Sequence, residues 1–389
     1  MTARRILFLD HTAALGGAEL CLLDVAEHFR ATSRVALMED GPLRAALEQR
    51  GVGVTVLERA GSLQQVKRES RVPGLAAVRA VMSVAQEVAR LARGYDLVYA
   101  NSQKAFIVAC ASAAFARRKV LWHLHDILDP RVFSRVNIGV DVFLANHVAS
   151  RVIANSQATA NALRARGGTR ARIDVVYNGL DPAVMDAVRA HDVSAARASL
   201  GIGGAPLLGL FGRLAPWKGQ DVAIRALAIC ADSDVQLAIV GDALFGEEAY
   251  AAELRALVAE LGLERRVHFL GFRNDVPVLM RAVDVLIHTS VAPEPFGRVI
   301  VEGMLAERPV IATAGGGASE IVEAGVTAWQ VSPNDPVALA AAISEVLDDP
   351  ARARAVAAAG RRSALERFTL AATLPLTERA VERAVGALA

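Results

Sequence analysis

Short runs of β-branched and aliphatic residues alternate along this chain with longer stretches in which apolar residues recur every three or four positions. The short runs in the first half are Ile6–Leu9, Arg34–Met38, Val52–Leu57, Asp96–Ala100, Val120–His123, Arg151–Ala154 and Asp174–Tyr177. In the second half they are Leu207–Phe211, Gln236–Val240, Val267–Leu270, Val285–His288 and Pro309–Ala312. Such runs read as strands, and the longer stretches between them as helices. Strands alternating with helices predict parallel sheets covered on both faces, an α/β fold of doubly wound, Rossmann-like type. Two such series predict two domains, 1–185 and 190–365. The boundary falls between Asp181 and Ala205, near Pro182, Gly201, Gly203, Gly204 and Pro206. Thr369–Ala389 reads as a final helix.

In an open parallel sheet, ligands sit beyond the carboxyl ends of the strands. That rule gathers Asp10–Gly17, Asn101–Lys104, His125–Asp126 and Asn155–Ser156 on one rim. It gathers Arg213–Lys218, Gly241–Asp242, Gly271–Arg273, Ser290–Glu294 and Thr313–Gly317 on a second. Two rims facing across a cleft would serve two substrates.

The 389 residues, 53% hydrophobic and 22% charged, have an ordinary globular balance and are long enough for two cores. The three cysteines, Cys21, Cys110 and Cys230, are far apart in apolar runs, which predicts buried thiols and a reducing compartment. The apolar start is cut off by Asp10 and His11. The longest apolar stretch, Ala105 to Ala116, is too short to span a bilayer. The expected location is cytoplasmic, with peripheral contact at the inner face of the membrane as an option.

The net charge of +2 hides an asymmetry. Residues 1–185 carry 24 Lys and Arg against 16 Asp and Glu, and the remainder 19 against 25. No nucleic-acid footprint emerges overall. After Pro73 an amphipathic helix is predicted, with Ala77, Val81, Val84, Val88 and Leu91 on one stripe and Arg79, Arg90 and Arg93 opposite; Lys67, Arg68 and Arg71 precede it. A basic face of this kind either docks on anionic lipid or is simply solvated.

The densest chemistry lies in Glu294-Pro-Phe-Gly-Arg-Val-Ile-Val-Glu302. Its Pro-Phe296-Gly297 turn opens a helix read as Gly297–Glu307. Helical rise would place the two carboxylates roughly 12 Å apart, too far for a glycosidase pair, which needs about 5–9.5 Å. Between them lie the backbone N–H groups of Gly297, Arg298 and Val299, and helix-start amides bind phosphate. Carboxylate, phosphate cradle, carboxylate suits the sugar, diphosphate and ribose of a nucleotide sugar. Arg213 and Lys218, in Gly212-Arg-Leu-Ala-Pro-Trp-Lys-Gly219, follow a strand and precede a helix, and a guanidinium fork with a mobile ammonium is a diphosphate-binding pair. Gly16-Gly17 follows the first strand without forming a G-x-G-x-x-G fingerprint.

These blocks resemble the retaining glycosyltransferase family numbered four, whose members have two Rossmann-like domains facing across a cleft, the GT-B fold. The likeness also takes in Gly16-Gly17-Ala18-Glu19, His125-Asp126, Asn155-Ser156, Asn178-Gly179-Leu180-Asp181 and Phe269-Leu270-Gly271. It implies that Glu302 binds the donor ribose and Glu294 the donor sugar, that Gly16 and Gly17 meet the diphosphate, and that His125 is the active-site histidine beside the transferred sugar. Arg213 and Lys218 would steady the leaving diphosphate, with Gly271, Arg273, Phe296, Gly297, Arg298 and Val299 completing the donor site. The final helix would return to the first domain. The resemblance implies attack from the donor's front face, with retention and no metal cofactor.

Other readings weaken on position. Gly201-Ile-Gly203-Gly204 precedes a strand and reads as linker, and Asp232-Ser233-Asp234 lies at the wrong edge for a metal motif. For His123 and His125 no further His or Cys is placed to complete a zinc site. Gly315-Gly316-Gly317 is either a donor contact or a plain turn. The acceptor rim is expected near Asp10, Ser102, Lys104, His125 and Asp126. The basic first half points to an anionic or lipid-linked acceptor in envelope assembly; a small cyclitol or aminoglycoside precursor is the alternative. A phosphorylase or epimerase on the same fold, or a non-catalytic nucleotide-sugar binder, is the remaining possibility.

Overall fold

The computed structural model describes residues 4–61, 75–199, 201–230, 234–243 and 246–386. The chain forms two compact units, Met1–Gly179 with Leu370–Ala389, and Leu180–Thr369. The chain thus leaves the first unit at Gly179, ahead of the Pro- and Gly-rich stretch that marked the boundary in the sequence.

The first unit holds a seven-stranded sheet of β1 (Ile6–Asp10), β2 (Ser33–Leu37), β3 (Gly53–Val56), β4 (Leu97–Ala100), β5 (Lys119–Leu124), β6 (Arg151–Ala154) and β7 (Ile173–Val175), in the order β3-β2-β1-β4-β5-β6-β7. Every pairing is parallel. Strand residues alternate between two cores. Leu7, Leu9, Val98 and Trp122 join the core on one face, while Ile6, Phe8, Tyr99 and Leu121 join that on the other. This explains the unbroken apolar runs, since a sheet covered on both faces has no polar side. The final helix, Leu370–Val385, places Ala380, Val381 and Ala384 in the second of these cores. Ion pairs of Glu382 with Arg4 and Arg383 with Asp174, and a 2.6 Å contact of Glu378 with His28, fasten it.

The second unit holds β8 (Leu207–Phe211), β9 (Gln236–Val240), β10 (Val267–Gly271), β11 (Val285–His288), β12 (Val310–Thr313) and β13 (Trp329–Val331), in the order β10-β9-β8-β11-β12-β13, again all parallel. β13 has only three residues, too short a period to stand out from the sequence. β12 starts after Pro309, which has no N–H for a ladder.

In both sheets the strand order reverses once, at β1/β4 and at β8/β11. Loops leaving the two strands at such a point diverge and open a crevice at the carboxyl edge.

Three expectations need correction. The Arg298–Leu305 helix is shorter than the predicted 297–307. Cys230 is half-buried at a helix end, unlike Cys21 and Cys110. The basic helix spans Leu75–Ala92 with Arg79 and Arg90 exposed, but its buried face runs through Ala80, Val84, Ala85, Val88, Ala89 and Ala92, rotated from the predicted stripe. Lys67, Arg68, Arg71, Asp232, Ser233, Leu244 and Phe245 lie outside the described residues.

Candidate active site

The second unit's crevice is built by glycines. After β8, Gly212 (φ 138°) meets Gly241 (φ 137°) so closely that a Cβ on Gly241 would lie 2.1 Å from the Gly212 carbonyl oxygen. A 3-10 turn, Pro216–Lys218, ends at Gly219 (φ 67°), where a Cβ would lie 2.2 Å from the Thr289 carbonyl oxygen. Only glycine fits both the left-handed backbone and the contact. The close approach lets Thr289 Oγ1 donate to the Lys218 carbonyl (2.9 Å) and the Val291 amide to that of Trp217 (2.9 Å).

Lys218 is thereby held against the loop leaving β11. Its Nζ donates to both carboxylate oxygens of Glu294 (2.8 and 3.1 Å) and sits 4.2 Å from the Trp217 ring centre. Ser290 Oγ donates to Glu294 Oε2 (2.7 Å), and His288 Nε2 lies 3.1 Å from that hydroxyl and 3.4 Å from the carboxylate. A proton on Nε2 of His288 satisfies both contacts. Burial alone would raise the Glu294 pKa, but the Lys218 charge, assisted by His288, outweighs it and holds the carboxyl well below its ordinary range. A buried anion is therefore fixed beside a cation at the switch point.

The loop after β12 clamps the same residue. The Gly317 amide donates to the Glu294 carbonyl (2.7 Å), and Gly316 (φ 60°) would place a Cβ 2.1 Å from that oxygen. Phe296 is buried edge-on against Phe368, with ring centres 5.8 Å apart. Gly297 (φ 105°) turns the chain into the Arg298–Leu305 helix, whose first-turn amides at Arg298 and Val299 have no preceding turn to bond. Because Glu294 precedes this turn, the rise along a helix does not set its separation from Glu302. Glu302 is half-buried and pairs with Arg298 at 3.6 Å.

In the first unit, Asp10 ends β1 and is fully buried. Its carboxylate accepts from the His11 amide (2.6 Å) and from Asn101 Nδ2 (2.7 Å). Asn101 Oδ1 then faces His125 Nε2 at 3.0 Å, and Ser102 Oγ faces His11 Nδ1 at 2.8 Å. The amide thus orients His125, with its proton on Nε2. Gly16 caps the Gly17–His28 helix, and its amide donates to Glu19 Oε2 (3.1 Å). Burial, then the nearby Asp10, pushes the Glu19 carboxyl up to about 8, with Asp126 adding to the rise. His123 is driven well below its ordinary range by burial, and next by His125, whose ring centre is 3.9 Å away. Cys21 supplies the donor that the spacing did not reveal: one ligand atom each of Cys21, His123 and His125 lies within 4.8 Å of the others.

A family profile described as "Glycosyltransferase Family 4" matches residues 15–184, and one described as "Glycosyl transferases group 1" matches residues 192–363. A crystal structure of Anabaena Alr3699/HepE in complex with UDP and glucose superposes with a TM-score of 0.89 at 41% identity, covering 97% of this chain and 99% of that one. The chain belongs to the group 1, family 4 glycosyltransferases. HepE of the same fold has also been crystallised with UDP-glucose. Among curated glycosyltransferases, the 2-deoxystreptamine glucosyltransferase of Streptomyces kanamyceticus is 34% identical over 61% of this chain and 62% of its own length. The D-inositol 3-phosphate glycosyltransferase of Streptomyces avermitilis is 34% identical over 56% of this chain and 48% of its own. The chain therefore spans about half to three fifths of these curated relatives.

Within this GT-B glycosyltransferase fold, Lys218 and Glu294 come together with Gly297 opening the adjacent helix. Arg213 is half-buried on the loop after β8, and its carbonyl accepts from Gln220 Nε2 (3.0 Å). Gly271 (φ 62°) ends β10, joined to Gly241 by an amide-to-carbonyl bond of 2.9 Å. Arg273, on the loop that follows, pairs with Asp275 (2.7 and 2.8 Å). Asp10, Ser102 and His125 come together through His11 and Asn101. Lys104 lies in the first turn of Gln103–Ala116, and Asp126 two residues beyond β5. The sequence places Asn101 and Ser290 on the ligand rims without a partner for either, and leaves His288 as a strand end, although each ends or follows a strand at a switch point.

Proposed function

We propose that the protein is a retaining, metal-independent glycosyltransferase that moves glucose from UDP-glucose to a hydroxyl of a small polyol. The observation that carries this reading is the pairing of half-buried Lys218 with buried Glu294 beside the start of the Arg298–Leu305 helix. Similarity to HepE, whose complexes hold UDP and UDP-glucose, supports the donor. The names of two curated relatives, a 2-deoxystreptamine glucosyltransferase and a D-inositol 3-phosphate glycosyltransferase, support the acceptor class.

In this reading the second unit holds the donor. Arg213, Lys218 and the amides of Arg298 and Val299 take the diphosphate, Glu302 the ribose, and Glu294 the glucose ring. The acceptor oxygen forms a bond to the anomeric carbon as the bond to the β-phosphate oxygen breaks. The acceptor proton passes to the departing phosphate. Positive charge on the ring is steadied by the Glu294 carboxylate, and negative charge on the diphosphate by Lys218, both fixed before reaction begins. Asp10, Ser102, Lys104, His125 and Asp126 are assigned to the acceptor side. The test is incubation with UDP-glucose and a cyclitol panel, followed by NMR of the product. An α-glycoside with UDP release is expected; a β-glycoside, or donor breakdown without a glycoside, contradicts the reading.

A lipid-linked acceptor is the second reading. Leu75, Val78 and Met82 are exposed on the helix that carries exposed Arg79 and Arg90, with exposed Arg93 just beyond it, the composition of a face that rests on anionic lipid. Among the described residues no helix is long and apolar enough to cross a membrane. Vesicle flotation that is lost on reversing Arg79, Arg90 and Arg93, together with activity, favours this acceptor; unchanged activity favours the polyol.

A further inference from the structure

The second unit contains a cavity of about 590 Å³ that the transfer reaction does not use. Pro206, Asp284 and Pro309, which precede β8, β11 and β12, line it. It therefore lies at the amino edge of the sheet, opposite the edge that carries Lys218 and Glu294. Five arginines line it, Arg189, Arg197, Arg281, Arg308 and Arg354, against the carboxylates of Asp284 and Glu307.

Both carboxylates are already engaged. Asp284 accepts from Arg197 at 2.9 Å, and Glu307 pairs with Arg189. Arg281 and Arg308 form no ion pair among the described residues, and the buried Nε of each has no hydrogen-bond partner. Burial, then the neighbouring Arg281 charge, holds the Arg308 pKa below its ordinary value. Two adjacent guanidiniums outside any ion pair form a site whose charge an anion would offset.

We propose that this cavity binds a small phosphate ester, separate from the nucleotide-sugar site. A guanidinium fork matches phosphate oxygens two at a time, and Arg281 with Arg308 supplies two forks. The volume falls within the roughly 300–1,000 Å³ of small-molecule sites. It exceeds what inorganic phosphate alone fills, which leaves room for the alcohol part of the ester.

The test is calorimetric titration of the full chain with glucose 6-phosphate, inorganic phosphate and glucose, at matched ionic strength. Saturable binding of glucose 6-phosphate is expected, with inorganic phosphate weaker and glucose silent. Arg281→Ala with Arg308→Ala should weaken it by about tenfold or more. Arg281→Lys with Arg308→Lys should restore part of the loss, and Lys218→Ala should leave binding unchanged. Arg354→Glu, at the same cavity, gives a second variant should the double alanine variant fail to fold. Loss of binding in Lys218→Ala with retention in the arginine variants would overturn the assignment. So would equal affinity for inorganic phosphate and the ester, or no binding at all.

Discussion

Lys218 and Glu294, 76 positions apart in the chain, close a 2.8 Å ion pair across the loops that leave β8 and β11. Those are the adjacent strands at which the sheet order reverses. A largely buried pair of this kind, with Lys218 half-buried, contributes little net stability, because desolvation offsets most of its attraction. In the proposed reading its use is positional: the anion and cation are fixed before substrate arrives.

Replacing Glu294 by Gln keeps an acceptor for Ser290 and removes the charge opposite Lys218. Turnover of UDP-glucose should fall about 100-fold, the typical cost of losing one preorganised electrostatic contact. The circular dichroism spectrum should match the parent. Near-parental turnover would remove Glu294 from the chemistry.

Gly316 tests the clamp on Glu294. Gly316→Ala forces a side chain into a left-handed backbone and against the Glu294 carbonyl. A cost of about 1–3 kcal/mol is expected, seen as a melting temperature lower by several degrees, with weaker donor binding. An unshifted melt would show that the loop relaxes freely.

The first unit predicts a pH dependence. The Glu19 carboxyl rises from 4.5 to about 8 on folding, driven first by burial and then by Asp10. The folded state therefore binds the extra proton between these values, and stability falls as pH rises through that window. Thermal melts from pH 5 to 8.5 should show this loss, and Glu19→Gln should reduce it. Equal slopes in the two proteins would contradict the assignment.

Much of this architecture is legible in the sequence. Twelve strands stand out as apolar runs because both sheet faces are buried, and the glycines after β8 and β12 announce tight strand exits. Apart from Lys218, the partners of Glu294 do not stand out. His288 and Ser290 look like ordinary strand-end residues until the loops converge, and Asn101 acquires its role only when β1, β4 and β5 lie side by side. Cys21 meets His123 and His125 through the packing of the Gly17–His28 helix, a contact no spacing rule could supply. Arg273 reads as a donor contact from its loop; the sequence does not show that it also pairs with Asp275 two residues on.

The proposed role of Arg213 and Lys218 on the diphosphate predicts that transfer from UDP-glucose persists in EDTA. Assays of chelated, dialysed protein check this directly. Loss of activity that Mg²⁺ or Mn²⁺ restores would assign the diphosphate charge to a metal and not to Arg213 and Lys218.

The central claim is that the Lys218–Glu294–Glu302 rim of the second unit holds the nucleotide sugar. Calorimetric titration of UDP-glucose into the parent protein, Lys218→Ala and Glu302→Ala in metal-free buffer tests it most directly. The account predicts saturable binding to the parent and a loss of about tenfold or more in each variant, equivalent to about 1.4 kcal/mol. Parental affinity in both folded variants would contradict it.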